Sequence, residues 1–440
     1  MRIAFKAGAL AAVAALALTT AACSSPASTG DTDGASSDSG PVNLTYWAWA
    51  PNMDKVVDIW NKSHPDITVT VNKQDGGDAA VTKLLTAIKA GSGAPDLMQA
   101  EYQKIPTLVS AGALKDLSKL GAASTKSDFT AGAWNAVTLG SSAIYAVPQD
   151  TGPMMFYYRK DVFKKLGLKA PATWDDYAKA AEVIHKADPT QYLGTFSSGD
   201  PGWFAGLTQQ AGASWWSISG QSWGVDIDSA ASKKVASYWG GLVQKGVIDN
   251  DPMYTPAWNA ALNDGKQVGW ISAVWGPGVL AGNAGKTKGD WAAATLPQWT
   301  AGANANGNWG GSSTAVTAQS EHPQQAMQFI KWLNTDPTAV KALAQIANIY
   351  PADVHATDSA LTTAPDFFSD QSDFYQVAAK ASAAVQPFTY GPNVNVAYSA
   401  YTDAFAKAAQ AKQQSQFLSA LSSMQSTTTS DLKKSGFSVK

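Results

Sequence analysis

The sequence predicts an α/β protein of two lobes, with the chain crossing between them. Three observations predict it. At 440 residues the chain is longer than one hydrophobic core usually organises, so two large units are expected. From Val42 onward, short β-prone runs alternate with amphipathic helical runs, the pattern of βαβ units and a largely parallel sheet. In the stretch Ser141–Leu168, two β-prone runs, Ala143–Val147 and Met154–Tyr158, flank the breaker cluster Pro148-Gln149-Asp150-Thr151-Gly152-Pro153. Such a corner is either a hairpin or a crossing between lobes, and the rest of the chain favours the crossing.

Taken in order, Val42–Trp47 alternates and reads as the first strand, ended by the loop Ala48-Trp49-Ala50-Pro51-Asn52. Met53–Asn61 is helical, with Val56, Val57 and Trp60 as its apolar stripe. Ile67–Val71 is a second strand, Val81–Ala90 a helix stopped by Gly91-Ser92-Gly93, and Asp96–Gln99 a short strand. Beyond the corner, Thr173 is a candidate N-cap for a helix over Asp175–His185. Trp203-Phe204 opens another helix, and Ser219-Gly220 marks a hairpin-like turn. Ala230–Lys245 and Ala257–Asn263 are helices, Val268–Ala273 and Thr314–Thr317 strands, Pro323–Asn334 an amphipathic helix, and Ala397–Ala411 a further helix.

Composition narrows the function. The chain holds 17 Trp, and 15% of its residues are charged. Arginine occurs only at Arg2 and Arg159. The planar guanidinium fork is the preferred partner of phosphates and carboxylates, so nucleotides, nucleic acid and dicarboxylates are poor candidate ligands. The net charge of −2 attracts no nucleic acid. The nearest approach to a phosphate loop, Gly285-Lys286-Thr287, would need its first glycine at Leu280, so no nucleotide hydrolysis is expected. Four scattered histidines give no metal cluster, and no cofactor is expected.

Residues 1–22 carry Arg2 and Lys6, an apolar core over Ala7–Leu18, and Thr19-Thr20-Ala21-Ala22, a signal-peptide layout. The single cysteine, Cys23, follows at once. Small residues before it resemble a bacterial lipobox, in which the cysteine is lipidated and becomes the new N-terminus, although Thr20 stands where Leu is usual. Ser24–Gly40 lacks large apolar residues and reads as a flexible tether. Residues 23–41 would thus hold a water-exposed body at a membrane.

The run KLLTAIKAGSGAPDLMQAEYQKIPTLVSAGALKDLS (83–118), the run YAVPQDTGPMMFYYRKDVFKKLGL within 141–168 and the following PATWDDYAKAAEVI together resemble family 1 extracellular solute-binding proteins of bacterial ABC importers. The resemblance extends over about residues 42–440. It implies a type II periplasmic-binding-protein-like fold with three hinge crossings and the ligand in the interlobe cleft. The second crossing is expected at Ala292–Pro297 and the third at Asn348-Ile349-Tyr350-Pro351-Ala352. The implied lobes are 42–151 with 297–349, and 152–296 with 350–440. It further implies a monomeric, lipid-anchored body outside the cytoplasmic membrane, serving ABC permease transmembrane subunits.

The ligand reading combines that likeness with composition. Aromatic rings match the C–H faces of sugars, and carboxylates and amides match their hydroxyls. Asn52, Glu101 and Asp150 are the polar candidates, with Tyr102 beside them. Trp49, Trp203, Trp275 and Trp309 are the stacking candidates, and Gly310 and Gly311 would let a ligand approach the backbone. Trp47 and Trp60 favour the core, and Trp215, Trp216 and Trp223 read mainly as structural. A carbohydrate captured by lobe closure is the expected function, with no catalysis. The rivals are a secreted glycoside hydrolase, which needs two carboxylates while Glu101 is the one glutamate of three placed for a cleft, and a receptor for a cation such as a polyamine.

Overall fold

A computed structural model describes residues 40–440 except 75 and 221. The signal-like segment, Cys23 and nearly all of the tether lie outside the described residues. Among them, strand β1 (Val42–Ala48) buries Val42, Leu44 and Tyr46 in alternation, as a half-buried strand should. It pairs in parallel with β2 (Ile67–Lys73) and with β3 (Leu97–Glu101). The helices Met53–Ser63 and Asp78–Ala90 connect these strands. The first buries Met53, Val56, Val57 and Trp60 on one stripe, and Gly91 ends the second in a left-handed conformation.

The crossing differs from expectation in form. The breaker cluster does not separate two strands; it lies inside one strand, β4 (Val147–Arg159), of 13 residues. Of the run Ala143–Val147, Val147 alone belongs to it. Both prolines are accommodated because the register slips between Pro148 and Asp150 and again between Thr151 and Pro153. Such bulges leave positions that need no ladder donor. The first half of β4 pairs with β9 (Asn308–Val316), and the second half pairs with β7 (Gly269–Ala273) and β8 (Trp291–Thr295), all antiparallel.

The expected second crossing at Ala292–Pro297 is corrected. That segment is mostly β8, paired with Tyr158 and its neighbours well inside the second half of β4. The strand that crosses is β9: Asn308–Ser312 faces β4 while Ser312–Val316 faces β3. Extended Gly-rich residues let β9 bend between the two partners. A third connection passes at Tyr350-Pro351, where the Thr151 N–H donates to the Tyr350 carbonyl at 3.1 Å and the Ala352 N–H to the Gln149 carbonyl at 3.0 Å.

Two large apolar cores lie on either side of these crossings. One gathers residues from Val42 to Val147 and from Ala315 to Ala352; the other gathers Met154 to Trp309 and Phe367 to Leu432. The helix Trp174–Ala187 in the second core starts with a capping box in which Thr173 and Asp176 satisfy each other's backbone N–H. A small sheet at the far side joins the hairpin β5 (Trp216–Ser219) and β6 (Ser222–Val225) to β10 (Ser438–Val439). No helix of the described residues is long and apolar enough to cross a membrane.

Candidate functional site

Parallel strands point their carboxyl ends at one edge of the sheet, and there the loops are free to take a ligand. Trp49 follows β1 at this edge, half-buried, with the Trp49 and Ala50 N–H groups both donating to Gln99 Oε1 at 3.1 Å. The backbone at Gly76 lies against the Trp49 ring: a Cβ there would come within 3.3 Å of it. Glu101 ends β3, half-buried. Tyr102 follows, 4% exposed, its hydroxyl donating to the Asp150 carbonyl at 2.9 Å. Asn52 closes the loop that carries Trp49. It is exposed, takes a left-handed φ of 53°, and donates from Nδ2 to the Ile346 carbonyl at 3.1 Å.

Asp150 lies within the crossing. Its Oδ1 accepts from the Ser312 N–H at 2.9 Å and its Oδ2 from the Ser312 hydroxyl at 2.6 Å. Burial pushes its carboxyl up to about 6 although Ser312 and Gln99 pull the other way. Gly310 and Gly311, at φ 83° and 101°, take conformations open to glycine. A Cβ on Gly311 would meet Tyr102 at 2.7 Å. These glycines therefore let β9 pass over the Tyr102 ring.

The opposite wall is aromatic. Trp275 stands half-buried after β7, donates from Nε1 to the Trp309 carbonyl at 3.1 Å, and meets the Trp309 ring edge-on at 4.7 Å. Trp309 is 7% exposed and packs in turn against Tyr254 at 6.2 Å. Trp203 belongs to none of this. It is 1% exposed, bonded through Nε1 to the Ile271 carbonyl, and enclosed by Phe196 and Trp239. The ring packs inward, so the expected sugar platform is a core residue here.

Three groups that sequence reasoning missed complete the wall. Asp200 caps the helix Pro201–Gln210, accepting the Trp203 N–H at 3.0 Å. Burial pushes its carboxyl up to about 6, opposed by hydrogen bonds from the Trp203 N–H, the Trp309 side chain and the Gly202 N–H. An Asp before Pro is an N-cap signal legible in sequence, although not its aim at Trp309. Tyr254 is 43% exposed with φ 67°, rare for a bulky residue, and Asp200 adds to the burial that raises its phenol. Tyr398, on the helix Val394–Ala411, is raised by burial, by Tyr390, and by the charges of Asp200 and Glu101. Its hydroxyl therefore senses one carboxylate from each wall.

The two walls also touch directly. Lys104 donates to Asn395 Oδ1, and the Thr107 hydroxyl donates to the Pro392 carbonyl at 2.8 Å. Beside the third connection, Trp275, Pro277, Asn348, Tyr350, Phe367 and Tyr375 line a cavity of about 360 Å3, within the range of small-ligand sites. Among the described residues no three His, Cys, Asp or Glu side chains gather as for a metal. The arrangement can stack a flat apolar face and accept hydroxyl protons.

Two apolar cores joined by β4, β9 and the Tyr350-Pro351 connection make the two-lobed arrangement of a type II periplasmic-binding-protein fold. The chain belongs to the bacterial extracellular solute-binding protein family, whose profile matches residues 43–340. It is 32% identical to the galacto-N-biose/lacto-N-biose I-binding protein of an ABC transporter from Bifidobacterium longum, solved with lacto-N-biose; the alignment covers 92% of this chain and 100% of that one, with a TM-score of 0.80. A binding protein from B. animalis subsp. lactis, solved with β-1,6-galactobiose, is 27% identical over 91% of this chain and 100% of its own, with a TM-score of 0.75. The arabinooligosaccharide-binding protein of Bacillus subtilis is 23% identical over 76% of this chain and 77% of its own.

Proposed function

We propose that the protein captures a neutral short oligosaccharide between its lobes and delivers it to an ABC permease. The observation that carries this is the strip of rings Trp275–Trp309–Tyr254, in which the Trp309 side chain bonds to the Asp200 carboxylate. Rings supply the stacking face and carboxylates the strong acceptors for hydroxyls. The relatives solved with lacto-N-biose and β-1,6-galactobiose support a disaccharide. In this reading Trp49, Glu101, Tyr102, Trp275, Trp309, Gly310 and Gly311 line the site together with Asp200, Tyr254 and Tyr398. Asn52, Asp150 and Trp203 serve the scaffold.

The mechanism is a population shift. Open and closed arrangements exchange about the crossings, and a sugar that touches both walls binds the closed one more tightly. Moving the balance from 1:99 to 99:1 takes about 10⁴-fold differential affinity, so both walls must contribute. The lobes in this reading are 42–151 with 312–349, and 152–311 with 350–440, the second boundary falling within β9. Cys23 carries the lipid and the body stays outside the cytoplasmic membrane as a monomer.

A thermal-shift screen of the purified protein against lacto-N-biose, β-1,6-galactobiose, arabino-oligosaccharides and polyamines tests the reading. One sugar class raises the melting temperature, by about 2.7 kcal/mol of added stability at a hundredfold excess over Kd, and the sugar is recovered uncleaved. A shift with polyamines alone, or cleaved sugar, overturns it.

A further inference from the structure

A chain of buried hydrogen bonds joins the cleft to the crossings. It begins at the Trp49 and Ala50 N–H groups, which both donate to Gln99 Oε1 at 3.1 Å. Gln99 Nε2 donates to Ser312 Oγ at 3.0 Å, and Ser312 Oγ donates onward to Asp150 Oδ2 at 2.6 Å. The Ser312 N–H closes a second bond to Oδ1 at 2.9 Å. Residue 150 is where the three connections meet: β9 is held by its side chain, Tyr102 donates to its carbonyl, and its neighbour Thr151 donates to Tyr350 on the third connection. Gln99 and Ser312 are 1% and 2% exposed.

Strand pairing explains none of these side chains. A buried glutamine is tolerated only with its amide satisfied, and an apolar residue at position 99 would leave the Trp49 and Ala50 N–H groups without this acceptor. Here the amide oxygen is spent on the loop that carries Trp49 and the amide nitrogen on the crossing strand. The carboxylate fixes the direction of donation along the chain, because Ser312 Oγ gives its one proton to Asp150 while receiving from Gln99. Moving the loop therefore moves the hydrogen-bond partner of the crossing.

We propose that Gln99, Ser312 and Asp150 are positioning residues that couple the Trp49–Ala50 loop to the crossing strands, so that the state of the loop sets the balance between open and closed lobes. The proposal rests on the reading of the protein as a two-lobed binder that closes. It differs from a ligand-contact role for Asp150: the carboxylate acts through Ser312. The groups facing Asp150 are Tyr46 from β1, Gln99 from β3, Tyr102 after it and Ser312 from β9. Neither tyrosine titrates near neutral pH, since burial raises both phenols. Protonating Asp150, whose carboxyl is pushed up to about 6, would remove the charge that strengthens both bonds from Ser312 and add a donor to the pair.

Small-angle scattering of the ligand-free full chain reads the balance directly through the radius of gyration. The wild type is followed from pH 5 to pH 8, with Asp150→Asn, Gln99→Leu and the double variant beside it, each checked for a cooperative melt. The radius of the wild type changes with a midpoint near the Asp150 titration, and Asp150→Asn abolishes that change. At pH 8, each single variant shifts the open-to-closed ratio by about fivefold or more, and the double variant shifts it no further than the larger single one. Additive shifts, or a pH profile kept by Asp150→Asn, overturn the coupling. Where a variant does not fold, the wild-type profile decides: no change between pH 5 and pH 8 overturns it. Lacto-N-biose added as a probe judges the binding reading separately, since the ligand-free arm stands whether or not this sugar binds.

Discussion

The two cores use tryptophan differently. The eight tryptophan side chains that are under 2% exposed, Trp174, Trp203, Trp215, Trp216, Trp239, Trp258, Trp270 and Trp291, all belong to the second core. The first core holds Trp47, Trp60 and Trp134, and takes the rest of its volume mostly from aliphatic side chains. A chain rich in flat side chains invites the inference that they face a sugar, yet most of them fill the second lobe. The ones we assign to the site, Trp49, Trp275 and Trp309, sit on loops or strand ends rather than on helix stripes. Position in the local element, not abundance, is what recommends a ring as a stacking candidate.

Truncating a ring in the second core should break this contrast most severely. Trp239 is 0% exposed and meets Trp174, Tyr177, Trp203 and Tyr238. Trp239→Ala should cost about 3–5 kcal/mol of stability in a urea titration. Gly311→Ala comes next, because the added Cβ meets Tyr102 at 2.7 Å and the backbone is at φ 101°. A loss of about 1–3 kcal/mol is expected, together with weaker sugar binding. Trp275→Ala should invert the pattern, with an affinity loss of about tenfold, or 1.4 kcal/mol, at nearly unchanged urea midpoint. If the midpoint instead falls as far as for Trp239→Ala, Trp275 is a core residue and the distinction fails.

A smaller effect tests the acids. Asp150 and Asp200 hold their protons to about 6 in the folded protein against 3.8 ordinarily. Between those values the folded state binds more protons than the unfolded one, so the stability from these groups falls as pH rises through the window and is flat above it. Asp200→Asn should flatten the slope of melting temperature against pH between 3.8 and about 6. An unaltered slope would place the Asp200 carboxyl in water.

Much of the fold was legible in the sequence, since apolar periodicity and caps report local structure. Val42, Leu44 and Tyr46 alternate, Val56, Val57 and Trp60 form a stripe, and Thr173 caps its helix. The crossing was legible as a place but not as a shape, because Pro148 and Pro153 read as breakers and become bulged strand only when β9 lies alongside. Of the site we propose, the strand-end positions Trp49 and Glu101 were legible in the sequence. Asp200, Tyr254 and Tyr398 were not, because nothing local tells that three distant segments converge. Trp203 misled for the same reason: a helix start fixes the backbone but not the direction in which the ring packs.

The most direct test of sugar capture by lobe closure is small-angle scattering of the wild type with and without a saturating oligosaccharide from the thermal-shift panel. The account predicts a smaller radius of gyration with the sugar bound and no change with sugars that give no thermal shift. A sugar that binds tightly and leaves the radius unchanged would contradict it.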